Sequence, residues 1–229
     1  MDQAEVDTDV TRDLDRRLQS FNLLPSRWFH PQRCVALWPS DSPCRHDANA
    51  MRRFHRHVSA SFLRQSQPDY VQRLDDPLLP VFLADDALFD RLLCHVGLVV
   101  LGPAIRRVIE QDEVRLLREQ ISEDRLTFAR REARGLWSAE PPLLDGGELA
   151  IDTVEPQMRS LGAALLFMAA LAASEPVSAR GLWRLSSSAQ EDCLRLPASL
   201  CDREVAAALT LSTLSRLDPV WLSVFPRRT

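Results

Sequence analysis

The stretch from Asp85 to Arg107 constrains this chain more than any other, because it reads as helix with apolar residues on nearly every side. Leu88, Leu92, Val96 and Val99 form one stripe at helical spacing, and Phe89, Leu93 and Val100 form a second beside it. A helix apolar over that much of its girth belongs in the middle of a bundle, since a surface helix keeps one polar face. Asp85 and Asp86 suit its N-terminus, where carboxylates meet unpaired N–H groups and the positive end of the helix dipole. Gly102 and Pro103 predict a stop and a fresh start, because Gly favours the position past a helix end and Pro tolerates a first turn. The expectation is a central buried helix over about 86–101, with a second helix from Pro103. Gly97 lies inside the first at a cost of about 1 kcal/mol relative to Ala. That predicts another helix passing close at this point.

The remaining segments carry helical signals, and no window alternates polar and apolar residues over a strand's length. The fold class expected is all-α, a compact irregular helical bundle without significant β-sheet. Val10, Leu14 and Leu18 predict a short amphipathic helix over 8–20, capped by Thr8 or Asp9. Pro25, Pro31, Pro39 and Pro43 predict an irregular segment over 21–47, with one helical turn after Pro31. Asp47 or Asn49 opens a helix to about Gln65, striped by Met51, Phe54, Val58 and Phe62. Beyond Gly102, the residues Ala104, Ile105, Val108 and Ile109 are expected to face inward. Asp112 would cap a helix carrying Val114, Leu117 and Ile121, and Ser122 one carrying Leu126, Ala129, Ala133 and Trp137. From Pro156 a long helix carries Met158, Leu161, Leu165 and Met168 in steps of three and four. That spacing suits a coiled-coil seam, but Leu166, Phe167 and Ala170 make the far side apolar too, which points to a core helix. Asp202 caps a last helix with Val205, Ala208, Leu209 and Leu214. The organisation expected is an acidic N-terminal extension over 1–19 that need not be ordered, a helical part over 20–137, a Pro- and Gly-bearing linker over 138–149, and a C-terminal helical part over 150–229. Both helical parts would pack on one core, making one domain.

Composition narrows the function. The chain has 229 residues, enough for a sizeable core, with 45% hydrophobic and 26% charged residues. A net charge of −4 is too small to direct it to nucleic acid or to a membrane surface. The first residues are acidic, with no basic stretch ahead of an apolar one, so no signal peptide is expected. The longest apolar run, Leu161–Ala173, falls short of the ~20 residues that span a bilayer, and no direct membrane insertion is expected. Cys34, Cys44, Cys94, Cys193 and Cys201 are odd in number and scattered, as reduced thiols of a cytosolic protein would be. All 28 basic residues are Arg, spread along the chain.

No constellation of catalytic residues emerges. His30, Cys34, Cys44, His46, His55 and His57 crowd the first quarter, but no Cys-x2-Cys pair exists and the spacings match no zinc motif, so no metal is expected. His95 shares a face with Leu88 and Leu92 and reads as a hydrogen-bonded core histidine. Cys94 beside it points about 100° away around the helix and is flanked by apolar residues, which leaves it inert. With 7 glycines and no phosphate-binding loop or nucleophile elbow, no cofactor and no small-molecule ligand is expected. Asp75-Asp76 and Asp85-Asp86 sit at element boundaries, where capping explains them. Arg130, Arg131 and Arg134, with Arg52, Arg53 and Arg56, would suit an Arg-rich nucleic-acid-binding regulator. That reading is the alternative, disfavoured by sparse aromatic residues and by Glu119, Glu123, Asp124 and Glu132.

Three stretches in order carry a resemblance. They are Leu92-Leu93-Cys94, Gly97-Leu98-Val99, Gly102 and Ala104-Ile105-Arg106-Arg107; an earlier Ser20-Phe21, Leu23, Pro25 and Phe29-His30; and a later Gly162, Ala169, Glu175-Pro176, Arg184-Leu185 and Leu194-Arg195-Leu196-Pro197. Together they resemble the YscK/SctK family, accessory proteins of bacterial type III secretion systems, over roughly 20–217. The acidic extension and an expanded Arg- and His-rich region between Trp38 and Tyr70 depart from the family pattern. The resemblance implies a non-enzymatic adaptor of the cytosolic sorting platform. Such an adaptor would link the inner-membrane ring protein's cytoplasmic domain to the pod protein, and so to the ATPase complex. It would work in the cytoplasm, peripherally at the inner membrane's cytoplasmic face. Leu92, Leu93, Gly97, Gly102 and Ile105 are then structural signature residues, and Arg106 and Arg107 are exposed partner contacts. The plainer alternative for the two arginines is an ion pair with Glu110 or Asp112.

Overall fold

The structure, a computed structural model, describes residues 3–37, 47–137, 149–196, 200 and 202–226, with side chains from residue 12 onward apart from Val35. All of the expected linker but Leu149 lies outside the described residues, as do Trp38, Pro39, Pro43, Cys44, His46, Pro197 and Cys201. Among the described residues there are twelve α-helices and no strand. They are α1 (Gln3–Leu23), α2 (Pro31–Leu37), α3 (Ala48–Ser66), α4 (Leu79–Leu83), α5 (Asp86–Arg107), α6 (Gln111–Ile121), α7 (Glu123–Thr127), α8 (Val154–Ala172), α9 (Glu175–Gly181), α10 (Ala189–Leu194), α11 (Arg203–Leu217) and α12 (Pro219–Ser223). The helices fall into two compact units interleaved along the sequence. The first comprises Met1–Leu83, Ala173–Ser187 and Val220–Thr229, and the second Ala84–Ala172 and Ser188–Pro219.

The second unit is built on α5. Asp85 caps it by accepting a hydrogen bond from the Leu88 N–H at 2.8 Å. Every residue from Cys94 to Gly102 is buried. A stretch within α5 has a mean hydropathy of 1.6, long and apolar enough to cross a membrane by length and composition; 78% of it is buried within the protein. The neighbour that Gly97 predicts is α8. A methyl group on Gly97 would collide with the Met158 carbonyl, its carbon lying 2.8 Å away. The relation is reciprocal, because a methyl group on Gly162 of α8 would collide with the Leu93 carbonyl, whose carbon lies 2.9 Å away. The two helices thus touch backbone to backbone. Arg159 of α8 reaches Asp90 of α5 at 2.6 Å and Glu155 at 3.4 Å beside this crossing. α10 and α11 pack on α8, and Asp202 caps α11 through the N–H groups of Glu204 and Val205. As expected of a core helix, α8 buries both its sides, with Leu161, Leu165 and Leu166 at or near zero exposure.

The first unit relies on side chains that satisfy main-chain groups. α4 is only five residues long and wholly buried, so it cannot pair its own carbonyls. Trp221 Nε1 donates to the Pro80 carbonyl at 2.9 Å, Arg184 Nη1 to Phe82 at 2.8 Å, and Arg17 Nη1 to Leu83 at 3.2 Å. Asp76, also buried, accepts from the N–H groups of Leu78 and Ser174. α3 opens at Asp47, which accepts from the Asn49 N–H. The buried Phe62 of its stripe joins Phe29 and Trp183 in a ring cluster, with Phe29 stacked on Trp183 at 4.7 Å.

Some sequence expectations fail on local geometry. α5 does not end at Gly102; it runs on to Arg107 with Pro103 inside it. Gly102 remains helical, and its small size serves a close approach, since a methyl group there would lie 3.2 Å from the Ala129 carbonyl and 3.3 Å from Ala133 Cβ. Continuing the helix keeps Ala104 and Ile105 on the buried face. Ile109 does not face inward but is 84% exposed, because the helix has already ended at Val108. Glu110 rather than Asp112 stands at the start of α6. Ser122 precedes α7 with a φ of 68° and gives no side-chain cap. Ala208 is exposed on α11, α12 follows that helix, and α1 begins well before Thr8.

The crossing generates a test. Gly97→Ala and Gly162→Ala should each cost about 2 kcal/mol or more, as overpacking does. The double variant should cost less than the sum, because one separation of the helices relieves both clashes. Urea denaturation of the four proteins measures this, and strict additivity would contradict a shared crossing.

Candidate functional site

The end of α5 carries the two arginines expected as partner contacts. Ile105 is buried and fixes the last turn. Arg106, next along, is half-buried, and its Nη1 donates to the Ala129 carbonyl at 3.1 Å. Burial and the like charge of Arg134 both lower its proton affinity. Asp112 pairs with Arg115 at 3.5 Å, so the alternative pairing expected for Arg106 gives way to a carbonyl contact. Arg107 is exposed. The Val108 carbonyl accepts from Arg130 Nη2 at 3.0 Å, which holds the loop bearing Ile109.

Ala129 and Arg130 lie in a π-helical turn, Phe128–Glu132, which closes with the Ala133 N–H on the Phe128 carbonyl. Such turns carry one residue more than a helical turn and recur at functional sites. A single-turn helix over Ala133–Gly135 follows, and the Cβ position of Gly135 lies 3.8 Å from Arg216 Nη2 of α11. Glu123, expected to offset these arginines, pairs with Arg118 at 2.7 Å instead. The signature residues sit in the same unit as packing elements. Leu92 and Ile105 are fully buried, Gly97 and Gly102 allow close approach, and the half-buried Leu93 presents its carbonyl to Gly162.

The candidate chemical groups have structural employment. His95 is buried, its Nδ1 on the Arg91 carbonyl at 2.7 Å and its ring edge-on to Phe128. Burial raises the Cys94 and Cys34 thiols, which disfavours the reactive thiolate. His55 and His57 diverge, as their spacing predicts: His55 meets Ser26 Oγ at 3.0 Å and His57 is exposed. Ser26 is buried, and its hydroxyl lies within hydrogen-bond reach of the His55 carbonyl at 2.9 Å and of Ser59 Oγ at 2.8 Å as well. Arg52, Arg53 and Arg56 are exposed along α3. Two features escaped the sequence reading. Arg180 and Arg184 are interior residues donating to main-chain carbonyls, Arg180 to those of Asp69 and Pro176. In a chain with arginine everywhere, only the resemblance singled out Arg184.

The family model described as YOP proteins translocation protein K (YscK) matches residues 16–219, most of the chain. The chain belongs to the YscK family. No curated protein matches it, and no solved structure does. Membership in the YscK family gives the chain a role in type III secretion and implies contact with other secretion-system proteins. The YscK family is one of secretion-system accessory proteins and is not a known enzyme family.

The buried His95 and the half-buried His30 and His55 set a pH dependence. His30, His55 and His95 are all held below the ordinary imidazole value, chiefly by burial, aided at His30 by Arg33 and at His55 by Arg27. Each prefers the neutral form when folded, so the unfolded chain binds more protons below about pH 6.5. Stability should be full above that value and fall as pH drops through it toward the lower folded values. Urea midpoints should fall between pH 7.5 and 5.5, and fall less in His95→Gln. A midpoint that rises on acidification would refute the neutral, buried assignment.

Proposed function

We propose that this chain is a non-enzymatic adaptor of the type III secretion sorting platform. It links the cytoplasmic domain of the inner-membrane ring protein to the pod protein, and through it to the ATPase complex. It works in the cytoplasm, at the cytoplasmic face of the inner membrane, with Arg106 and Arg107 among its partner contacts. The observation that carries this reading is the family match over residues 16–219. The geometry agrees with it in kind. An adaptor transmits position, and a crossing of two helices at backbone contact leaves little freedom to bend. Side-chain groups that would ordinarily suggest chemistry are occupied with main-chain partners, as His95 and Ser26 are.

Affinity purification of the tagged full chain from a secretion-competent bacterium should recover the pod and inner-ring proteins. Recovery of neither under mild conditions overturns the adaptor reading. Retention on DNA that collapses with salt would favour the nucleic-acid regulator in its place.

A further inference from the structure

Exposed and half-buried arginines of the second unit gather near the end of α5. Segments 106–110 and 128–135 hold Arg106, Arg107, Arg130, Arg131 and Arg134 against Glu110 and Glu132. The guanidinium of Arg106 lies on the π-helical turn, and Arg216 approaches the single-turn helix that follows it, at Gly135. Among the described residues, no ion pair involves Arg106, Arg130, Arg131, Arg134 or Arg216. Arg131, Arg134 and Arg216 are exposed. Elsewhere in the unit, Arg115 pairs with Asp112, Arg118 with Glu123, and Arg159 with Asp90 and Glu155, while the isolated, exposed Arg91 and Arg203 make no ion pair among the described residues. Like charges held together lower stability, so a fold would gain by dispersing them. Two of these side chains are also preorganised. Arg106 and Arg130 each spend one nitrogen on a carbonyl, and Arg130 Nε is buried without a hydrogen-bond partner. Fixing a guanidinium in advance reduces the entropy lost when a carboxylate docks. Ile109 stands beside Arg130 with 84% of its surface exposed.

We infer that this edge, formed by Arg106, Arg130, Arg134 and Arg216 with Ile109 beside them, docks an acidic segment of a protein partner that also offers an apolar side chain. The inference rests on the adaptor reading and adds the surface and the chemistry of one of its contacts. Charge complementarity selects the occupant. Nucleic acid fits less well, because the aromatic ring beside the turn, Phe128, is 4% exposed and cannot stack on bases.

Arg134→Glu/Arg216→Glu tests it, because both residues are exposed and neither makes a hydrogen bond among the described residues. Three results are expected. The melting midpoint of the variant matches or exceeds that of the wild type by roughly 1–3 °C, because a like-charge contact has been removed. In the affinity purification, the variant loses at least one of the pod and ring proteins by about tenfold or more. A 20-residue poly-glutamate peptide elutes that protein from the wild type, whereas poly-lysine of equal length does not. Full retention of both proteins by the variant overturns the docking edge and leaves the adaptor reading standing. Recovery of neither protein by the wild type overturns both. Arginine-dependent binding of a 20-nucleotide single-stranded DNA, tighter than that of the peptide, assigns the edge to nucleic acid and overturns the inference. So does a salt-labile dimer of the wild type that the variant fails to form, which would make the occupant a second copy.

Discussion

The second unit depends on one contact: two helix backbones meeting where neither has a side chain. Gly97 and Gly162 are not interchangeable with alanine because each faces a carbonyl of the other helix. At that separation the flanking side chains must be apolar and closely fitted, which accounts for Val96, Leu98, Leu161 and Leu165 at or near zero exposure. α11 follows the same rule by presenting Ala206, Ala207, Thr210 and Thr213. Thr213 keeps its hydroxyl satisfied within the helix, on the Leu209 carbonyl at 2.8 Å. The Arg159–Asp90 contact next to the crossing is solvent-exposed and worth at most about 1 kcal/mol, so it sets register more than strength.

The first unit solves a different problem. Its segments are short, and a short helix leaves most of its polar main chain unpaired. Arginine is suited to this work because its planar fork reaches several carbonyls while its stem packs against rings. Arg184 lies 5.0 Å from the centre of the Trp28 ring, and Arg33 lies 5.1 Å from that of Trp183 while donating to Leu185 and Ser186. Arg17 does the same between Trp221 and the Leu83 carbonyl. A lysine offers a point charge and no planar face for such contacts.

What the sequence revealed follows from the range of each signal. The caps at Asp47, Asp85 and Asp202 were legible because a cap bonds to an N–H two or three residues on. The girth of α5 was legible because burial on all sides leaves no polar stripe, and Gly97 because a glycine inside such a helix costs stability unless another backbone needs its space. Gly102–Pro103 misled for the same reason that Gly97 informed. A helical glycine beside a proline looks like punctuation, and only the position of Ala129 shows that it is a contact. The π-helical turn was illegible, since Phe128–Glu132 differs from ordinary helix by one residue and no residue type marks it. Buried arginines were illegible because their partners are carbonyls as far as 111 residues away, and a carbonyl carries no sequence identity. The candidate edge was half legible. Arg106 and Arg107 stood out by resemblance, while Arg130, Arg134 and Arg216 join Arg106 only through tertiary contact.

An even spread of arginine along a chain suggests a single cause acting everywhere, yet burial sorts these residues into distinct kinds. Inside the first unit, Arg180 and Arg184 donate to main-chain carbonyls, though Arg180 does so through Nη1 while its Nε and Nη2 are buried without a partner, and removing either residue would strand carbonyls. Around α5 and α8, Arg118 and Arg159 meet carboxylates. At the end of α5, Arg106 and Arg130 each spend one nitrogen on a carbonyl and meet no carboxylate among the described residues, and the like charge of Arg134 acts on Arg106. A local conflict that the fold does not need points to a demand from outside it. The rigidity set at Gly97 gives that conflict its use. A charge cluster on a flexible end would relax into solvent, whereas one carried by a helix pinned at backbone contact keeps its geometry until a partner arrives.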